Sequence, residues 1–426
     1  MDKMRLDTGM RQEPEKPQKK ELGLYLHIPF CVRKCDYCDF LSAPGTESAK
    51  KSYVEALLTE IVSYQGRTSD YVVETIFFGG GTPSCIPEED IERIMAAIRE
   101  TFTISEERLE ATIEVNPGTV TKGKLEVYRR AGINRISFGL QSTKSMELKK
   151  LGRIHSYEDF LENYQLTREV GFLNINVDLM SALPGQTLAS WEDTLYSVAK
   201  LNPEHISAYS LIIEEGTKFY DRYHIGAALE KDLPDEDTDR MIYHRTKEIL
   251  EQFHYQRYEI SNYAKAGYEC RHNNSYWIGT QYLGLGLGSS SLLDGARFSN
   301  IDNLKQYIKQ LDEYRLYGKE ENKRISKEQY NYLPISRDLP GIRKDYKRLT
   351  KEEQMEEFMF LGLRRCEGVS KEEFYHRFGE NMDVIYGREL DGLKDKKLIE
   401  MDEVILRLTD LGVDVSNQVL SVFLFQ

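Results

Sequence analysis

The first half of the chain alternates two hydrophobic patterns. Between residues 22 and 213, six short runs rich in apolar, β-branched or aromatic residues each end in a polar or glycine-rich turn. The stretches between them, such as "YVEALLTEIVSY" (53–64), repeat apolar residues with the spacing of an amphipathic helix. The six runs are "LGLYLHI", "VVETIFFGGG", "LEATIEVNPG", "INRISFGLQS", "LNINVDLMSALPG" and "HISAYSLII".

This alternation predicts an α/β fold. Strands that alternate with helices pair in parallel, because a helical crossover returns the chain to the same edge of the sheet. Six units are two short of an eight-stranded barrel, so we expect a partial (βα)6 barrel. An open doubly wound sheet is the competing arrangement.

The pattern changes after the barrel. We expect helices, the segment "HNNSYW" and paired strands with a glycine-rich bend, then a compact unit with a helix, two further helices and a small hairpin. The order of the last unit is typical of a winged helix. The predicted divisions are a disordered tail (1–20), the barrel (21–215), a barrel extension (216–345) and a winged-helix-like C-terminal domain (346–426).

Charge and cysteine usage narrow the class of protein. The net charge of −13 argues against a nucleic-acid partner, since phosphate binding needs concentrated Lys and Arg. No apolar run approaches the ~18 residues of a membrane span, so membrane contact is expected to be peripheral at most. Three of the six cysteines are scattered and no export signal is evident, which predicts a reducing, cytoplasmic location.

The other three cysteines lie in one short segment. "HIPFCVRKCDYCDF" (27–40) contains Cys31, Cys35 and Cys38 directly after the first predicted strand. Three thiolates can hold a [4Fe–4S] cluster and leave one iron open, or they can bind zinc with His27 as the fourth ligand. A disulfide arrangement fits an odd number of cysteines poorly. The spacing alone leaves the cluster and the zinc site open.

Further polar motifs follow the other predicted strands at their carboxyl ends. In a βα barrel these ends line one mouth, where ligands bind. Glycines allow close backbone approach, Glu114 suits an ammonium group, Arg153 suits a carboxylate and Asp178 suits ribose hydroxyls. Each residue also has a structural interpretation, as a turn, a helix cap or a salt-bridge partner.

These motifs resemble those of the radical S-adenosylmethionine (SAM) enzymes. C-x3-C-x2-C with Tyr37 before the last cysteine, followed by "GGGTP", is similar to that superfamily. "YLHIPFC", "FFGGGTPS", "ISFGLQS" and "MSALPGQT" resemble its anaerobic coproporphyrinogen III oxidase-like branch. The resemblance implies a [4Fe–4S] cluster on the three cysteines, SAM on the open iron and an electron donor for the cluster. It implies SAM contacts at Tyr25, Tyr37, Gly80, Gly81, Thr82, Glu114, Gln141, Arg153 and Asp178.

Two features separate subgroups of this branch. Coproporphyrinogen oxidases have another cysteine two residues after the third cluster cysteine, where this chain has Phe40. "HNNSYW" (272–277) is similar to the hallmark of the HemW-type haem chaperones. That resemblance implies haem as cargo, haem-accepting proteins as partners and His272 as a haem contact.

Other assignments remain open at this stage. Relatives usually follow the later glycine-rich strand with a small residue, His and Ser, where this chain has Ser289, Ser290 and Ser291. If that histidine helps to hold porphyrin or haem, this protein binds it differently or less well. The first alternative function is SAM-dependent oxidative decarboxylation of coproporphyrinogen III. The second is a zinc-stabilised binding module.

Overall fold

The computed structural model describes residues 19–318, 334–338 and 340–425. Residues 1–18 of the predicted tail lie outside the described residues, and the first strand begins at Lys20, inside the predicted tail. None of the helices in the described part of the chain combines the length and apolarity that a bilayer crossing requires.

Fifteen strands are present in the described ranges. The twelve strands of the main sheet are β1 (Lys20–Ile28), β2 (Tyr71–Gly80), β3 (Glu110–Val115), β4 (Arg135–Gln141), β5 (Ile175–Ser181), β6 (His205–Ser210), β7 (Gln256–Arg257), β8 (Asn262–Ala264), β9 (Tyr282–Leu285), β10 (Ser290–Leu293), β11 (Ala296–Asn300) and β12 (Arg343–Arg348). A separate small sheet contains β13 (Val369–Ser370), β14 (Ile399–Met401) and β15 (Ile405–Leu408).

The helices divide in the same way. The barrel and its extension contain α1 (Glu47–Val62), α2 (Glu88–Thr101), α3 (Lys122–Ala131), α4 (Ser145–Lys150), α5 (Tyr157–Val170), α6 (Leu188–Ala199), α7 (Lys218–Tyr223), α8 (Glu236–Gln252), α9 (Arg271–Trp277) and α10 (Leu304–Glu313). The C-terminal unit contains α11 (Lys351–Gly362), α12 (Lys371–Phe378), α13 (Met382–Ile385), α14 (Gly387–Asp395), α15 (Asp410–Asp414) and α16 (Ser416–Ser421).

Strand order confirms the partial barrel. Strands β1 to β6 are parallel and adjacent in chain order, with β1 beside β2 and so on to β6. A doubly wound sheet reverses its order partway, so that helices cover both faces. Without a reversal, right-handed crossovers place the helices on one side and the sheet curls around the other. The end strands β12 and β7 are not paired with each other, so the arc stays open.

Local sequence explains where the crossover helices begin and end. Ser156 and Asp159 form a reciprocal capping box at the start of α5, and Thr187 and Ser190 do the same at α6. Gly171 ends α5 in the left-handed conformation that glycine adopts without strain. These caps fix the length of each crossover and therefore the positions of the strand ends.

The extension continues the same sheet on both sides. Strand β9 lies parallel to β1, and β10, β11 and β12 follow as antiparallel neighbours. Strand β8 lies antiparallel to β6 on the other side. The sheet therefore runs through the predicted boundary at residue 215, and the predicted domain limits stay a prediction.

The C-terminal unit has its own hydrophobic core. Its helix α11 packs with the other helices around buried residues such as Met359, Phe374 and Leu406. The predicted hairpin is β14 with β15, and the two-residue strand β13 joins it as a third strand.

Candidate functional site

A closed loop carries the three clustered cysteines. The loop follows the carboxyl end of β1. Two hydrogen bonds join its first and last residues, from the Cys31 N–H to the Ala43 carbonyl (3.2 Å) and from the Ala43 N–H to the Pro29 carbonyl (3.0 Å). Within it the Cys38 N–H donates to the Cys35 carbonyl at 3.3 Å. The chain is thus turned so that all three cysteines line one cavity.

Asp36 ties this loop to helix α7. Its carboxylate is buried and accepts from the Lys218 Nζ and the Arg222 guanidinium, each at 3.0 Å. The backbone carbonyl of Asp36 accepts from the Phe219 N–H at 3.0 Å, and its N–H donates to the Leu151 carbonyl at 3.1 Å. We call the two ion pairs the Asp36 clamp. It holds the middle of the cysteine loop against the segment that follows β6.

The cavity at the barrel mouth has a volume of about 370 Å³. This is the size of a pocket for a small-molecule cofactor. Eight of the nine residues predicted to contact SAM line it, and their role in binding SAM stays a prediction. These are Tyr37, Gly80, Gly81, Thr82, Glu114, Gln141, Arg153 and Asp178. Tyr25 lies on β1 next to a second cavity, which shares Glu114 and Asp178 with the first.

Arg153 lies in the wall of this cavity beneath the cysteines. Its guanidinium donates to Asn116 Oδ1 at 2.8 Å and to the Tyr37 hydroxyl at 2.6 Å. Its Nε is buried and has no partner among the described residues. A buried N–H without an acceptor costs about 1–3 kcal/mol, so this group is suited to an anionic ligand.

The glycine run at the end of β2 brings backbone close to the loop. A Cβ on Gly81 would lie 2.6 Å from the Phe30 carbonyl oxygen, which is too close for any side chain. Gly80 has a φ of +107°, and a Cβ there would meet the His27 ring at 2.6 Å. The glycines therefore leave backbone groups, and no side chains, at this wall of the cavity.

Two partly buried carboxyl groups share the floor of the cavity. Desolvation and the nearby Asp178 together raise the pKa of Glu114 to about 8, while a backbone hydrogen bond from Gly80 opposes the shift. Burial also raises the pKa of Asp178, although it accepts from Asn176 Nδ2 at 2.8 Å and from Ser137 Oγ at 3.3 Å. Both groups are thus disposed to pair with a cation or a hydroxyl.

Gln141 ends β4 in an unusual conformation. Its φ is +73°, which a non-glycine residue seldom adopts, and the pairing of β4 with β5 shifts register between Gly139 and Gln141. Such strain is often found where a side chain must point into a ligand site. Here it accompanies a residue that lines the mouth.

The donor set at the loop fits a cluster better than zinc. His27, the proposed fourth zinc ligand, has both ring nitrogens occupied, Nε2 by the Leu41 carbonyl (2.8 Å) and Nδ1 by the Tyr25 hydroxyl (3.1 Å). Three thiolates suffice for a cluster that keeps one open iron. Burial raises the pKa of the Cys35 and Cys38 thiols, so binding iron through them would require the thiols to release their protons.

His272 lies away from the cysteines, at the opposite end of the barrel. It lies on α9, is 1% exposed and stacks on Phe77 with ring centroids 5.1 Å apart. Both ring nitrogens are hydrogen-bonded, Nδ1 to Thr75 Oγ1 (2.9 Å) and Nε2 to the Tyr276 hydroxyl (2.8 Å). Burial lowers its pKa to about 3, so the ring is neutral. Neither ring nitrogen is free for a haem iron in this conformation, and the haem contact stays a prediction.

Sequence reasoning missed two residues of the site. Asn116 links Thr82 to Arg153, because its Nδ2 donates to Thr82 Oγ1 at 2.8 Å while its Oδ1 accepts from Arg153. The available signal was its position two residues after Glu114, beyond the end of the same strand. Asp36, between two predicted site residues, gave no signal because its partners are about 180 residues away along the chain.

Comparison with known proteins gives consistent matches. Residues 25–196 match the model of the radical SAM superfamily, and residues 349–415 match that of the HemN C-terminal domain. The chain is 36% identical over 400 residues to the heme chaperone HemW of Bacillus subtilis (strain 168), covering 94% of this chain and 98% of that protein. It is 41% identical over 273 residues to the heme chaperone HemW of Escherichia coli (strain K12), covering 63% and 69%.

A solved structure shares the fold of this chain. Coproporphyrinogen III oxidase (HemN) from Escherichia coli, described as a radical SAM enzyme, is similar with a TM-score of 0.76 and 25% identity. The likeness covers 96% of this chain and 91% of that chain. The barrel, the extension and the C-terminal unit therefore occur together in both molecules.

Proposed function

Because this chain belongs to the HemW family of the radical SAM superfamily, we propose that it is a haem chaperone that binds haem and delivers it to haem-accepting proteins. The observation that supports this most is the 36% identity over 94% of the chain to a protein named as a heme chaperone. Membership of the superfamily implies a [4Fe–4S] cluster and SAM.

The residues proposed to contact the cofactors line the mouth cavity. Cys31, Cys35 and Cys38 would hold the cluster, and SAM would occupy the remaining space at the barrel mouth. Arg153 would donate from its unpartnered Nε to the SAM carboxylate, and Glu114 would accept a hydrogen bond from the SAM ammonium group. When bound, the reduced cluster supplies the electron that cleaves SAM in this superfamily, and an electron donor protein is a proposed partner.

The cysteine assignment is tested by iron and sulfide analysis after anaerobic reconstitution. Cys35→Ala should lose most of its iron and sulfide, whereas Cys366→Ala, which changes a cysteine of the C-terminal unit, should keep both. Full iron and sulfide content in Cys35→Ala would refute the assignment. Zinc in place of iron in the native protein would favour a zinc-stabilised binding module.

The haem contact needs a sharper test, since His272 is buried. If His272 binds the iron through Nε2, then Tyr276→Phe, which removes the partner of that nitrogen, should tighten haem binding. His272→Ala should weaken it, and His244→Ala, a change at a 41% exposed histidine on α8, should leave it unchanged. Unchanged haem affinity in both His272→Ala and Tyr276→Phe would remove His272 from the proposal.

A second candidate is coproporphyrinogen III oxidation, which the structural likeness to HemN favours. Phe40 argues against the oxidase function. Coproporphyrinogen oxidases have a cysteine at this position, whereas here Phe40 lines the mouth cavity and is 62% exposed. Anaerobic incubation with SAM, a strong reductant and coproporphyrinogen III separates the two. Loss of two carboxyl groups by mass spectrometry would establish the oxidase and refute the chaperone proposal.

A further inference from the structure

A second cavity lies inside the barrel, directly next to the mouth cavity. Its volume is about 200 Å³, and it shares Glu114, Asp178 and Tyr209 with the mouth cavity. Tyr25 of β1 and Ser207 of β6, the first and last of the six parallel strands, also line it. Helix α9 closes it from below through His272, Asn273 and Tyr276. The proposed cofactors do not account for this space.

Arg135, the first residue of β4, lines this cavity. The side chain is 2% exposed, its Nε has no hydrogen-bond partner, and no ion pair joins the guanidinium to a residue that the structure describes. The carboxyl groups of Glu110 and Asp178 act on it only at longer range. Buried arginines are almost always paired, because an uncompensated buried charge costs several kcal/mol. An unpartnered guanidinium beside an empty volume is therefore placed to receive an anion.

The carboxylates that could have neutralised Arg135 are engaged elsewhere. Glu110 accepts from the backbone N–H groups of Arg271 (3.1 Å) and His272 (3.0 Å), and so caps the start of α9. Asp178 accepts from the side chains of Asn176 and Ser137. Neither carboxylate lies within ion-pair distance of Arg135. Both act on its charge from farther away, and this leaves the guanidinium N–H groups without a direct acceptor among the residues that the structure describes.

Other polar groups around Arg135 also lack partners. The hydroxyl of Thr112, its register partner on β3, is buried without a hydrogen bond among the described residues. The Asn273 amide reaches the same cavity and makes no side-chain hydrogen bond in the described part of the chain. Glu114 lines the same cavity, and because its pKa is raised it repels an anion less than an ordinary carboxylate does. Each of the two unpartnered side chains, those of Thr112 and Asn273, can donate a hydrogen bond to an anion.

We propose that the barrel interior contains a carboxylate-binding subsite anchored by Arg135, next to the predicted SAM site and sharing Glu114 and Asp178 with it. A guanidinium forks onto a carboxylate with two parallel hydrogen bonds, which neutralises the buried charge. A volume of about 200 Å³ admits a small carboxylate or one carboxylate arm of a larger ligand. The subsite does not depend on the proposed haem function.

The first experiment uses the full-length reconstituted protein with SAM, at constant ionic strength. Propionate should raise the thermal unfolding midpoint saturably, and propionamide, a neutral molecule of similar shape, should not. Arg135→Gln should weaken propionate binding about ten- to a hundredfold, as expected for the loss of charge-assisted hydrogen bonds. Arg130→Gln, at an exposed arginine of α3, should bind propionate like the native protein.

Stability without ligand separates a binding role from a structural one. Since Arg135 has no partner, Arg135→Gln should be at least as stable as the native protein when propionate is absent. SAM affinity should be unchanged. Arg135→Lys keeps the charge but changes its geometry. The proposal would be overturned if Arg135→Lys lost much stability without any effect on propionate binding. It would also be overturned if Arg135→Gln lost SAM affinity.

A second titration identifies the source of the carboxylate. If it is an arm of a tetrapyrrole, haemin should bind more tightly than haemin dimethyl ester, and Arg135→Gln should abolish that difference. If it is a free small carboxylate, propionate should stabilise the protein and the two haemins should bind alike. If propionate has no effect and haemin binds no more tightly than its ester, the subsite is refuted. Haem affinity itself tests the chaperone proposal separately.

Discussion

Removing the charge of Asp36 should loosen the cysteine loop. Asp36→Asn keeps the shape of the side chain but removes the charge from both ion pairs of the Asp36 clamp. Charge-assisted hydrogen bonds contribute about 1.5–3 kcal/mol when buried, whereas exposed ion pairs contribute about 0–1 kcal/mol. The Asp36 carboxylate is buried, but Lys218 and Arg222 are 62% and 42% exposed. We therefore expect a loss of about 1–2 kcal/mol in the free energy of opening the loop.

The expected result is faster loss of the cluster. A change of 1–2 kcal/mol in the opening equilibrium corresponds to a factor of about 5–30. Asp36→Asn should therefore lose its visible cluster absorbance to a chelator about 5–30 times faster than the native protein under anaerobic conditions. Adding Lys218→Met to Asp36→Asn should have little further effect, because the partner charge is already gone.

Asp39 provides a matched control in the same loop. It is exposed and forms no ion pair within the described residues, so Asp39→Asn changes the charge by the same amount without touching the clamp. Equal rates of cluster loss in Asp36→Asn and Asp39→Asn would refute the reasoning.

Three further changes test other parts of the structure. Gly81→Ala should weaken SAM binding and lower stability by about 1–3 kcal/mol, because its Cβ would collide with the Phe30 carbonyl oxygen; a native-like SAM titration would contradict this. Gly392→Ala, at an open position inside helix α14, should raise the free energy of unfolding by about 0.5–1 kcal/mol in denaturant titrations. Burial raises the pKa of Glu60 to about 7 from 4.5, so the folded state keeps a proton that the unfolded chain releases. Stability should therefore fall as the pH rises from about 4.5 to 7, and Glu60→Gln should flatten that slope, whereas an unchanged slope would assign it to other groups.

The barrel could be predicted from the sequence because its signals are local. Each strand is a short apolar run, each crossover helix begins at a recognisable cap such as Ser156 or Thr187, and the parallel order follows from the alternation. The clustering of the polar motifs at one mouth follows from the same rule. The fold class and the membership of the radical SAM branch are accordingly confirmed.

The remaining features depend on contacts between distant residues. No periodicity indicates that β9 would pair in parallel with β1, since Tyr25 and Gly284 lie far apart in the chain. The burial of His272 depends on Thr75 and Phe77, which the "HNNSYW" segment does not contain. Arg135 resembles any arginine at the start of a strand until the cavity beside it is known.

The pairing of β1 with β9 limits how this molecule can be divided. A chain that ended after β6 would leave one edge of β1 bare, and an exposed, largely apolar strand edge invites pairing with other molecules. Such a fragment is expected to aggregate even though it contains every cysteine of the loop. Transplanting the cluster-binding half into another protein would therefore require the chain through Asn300, so that β9, β10 and β11 shield that edge.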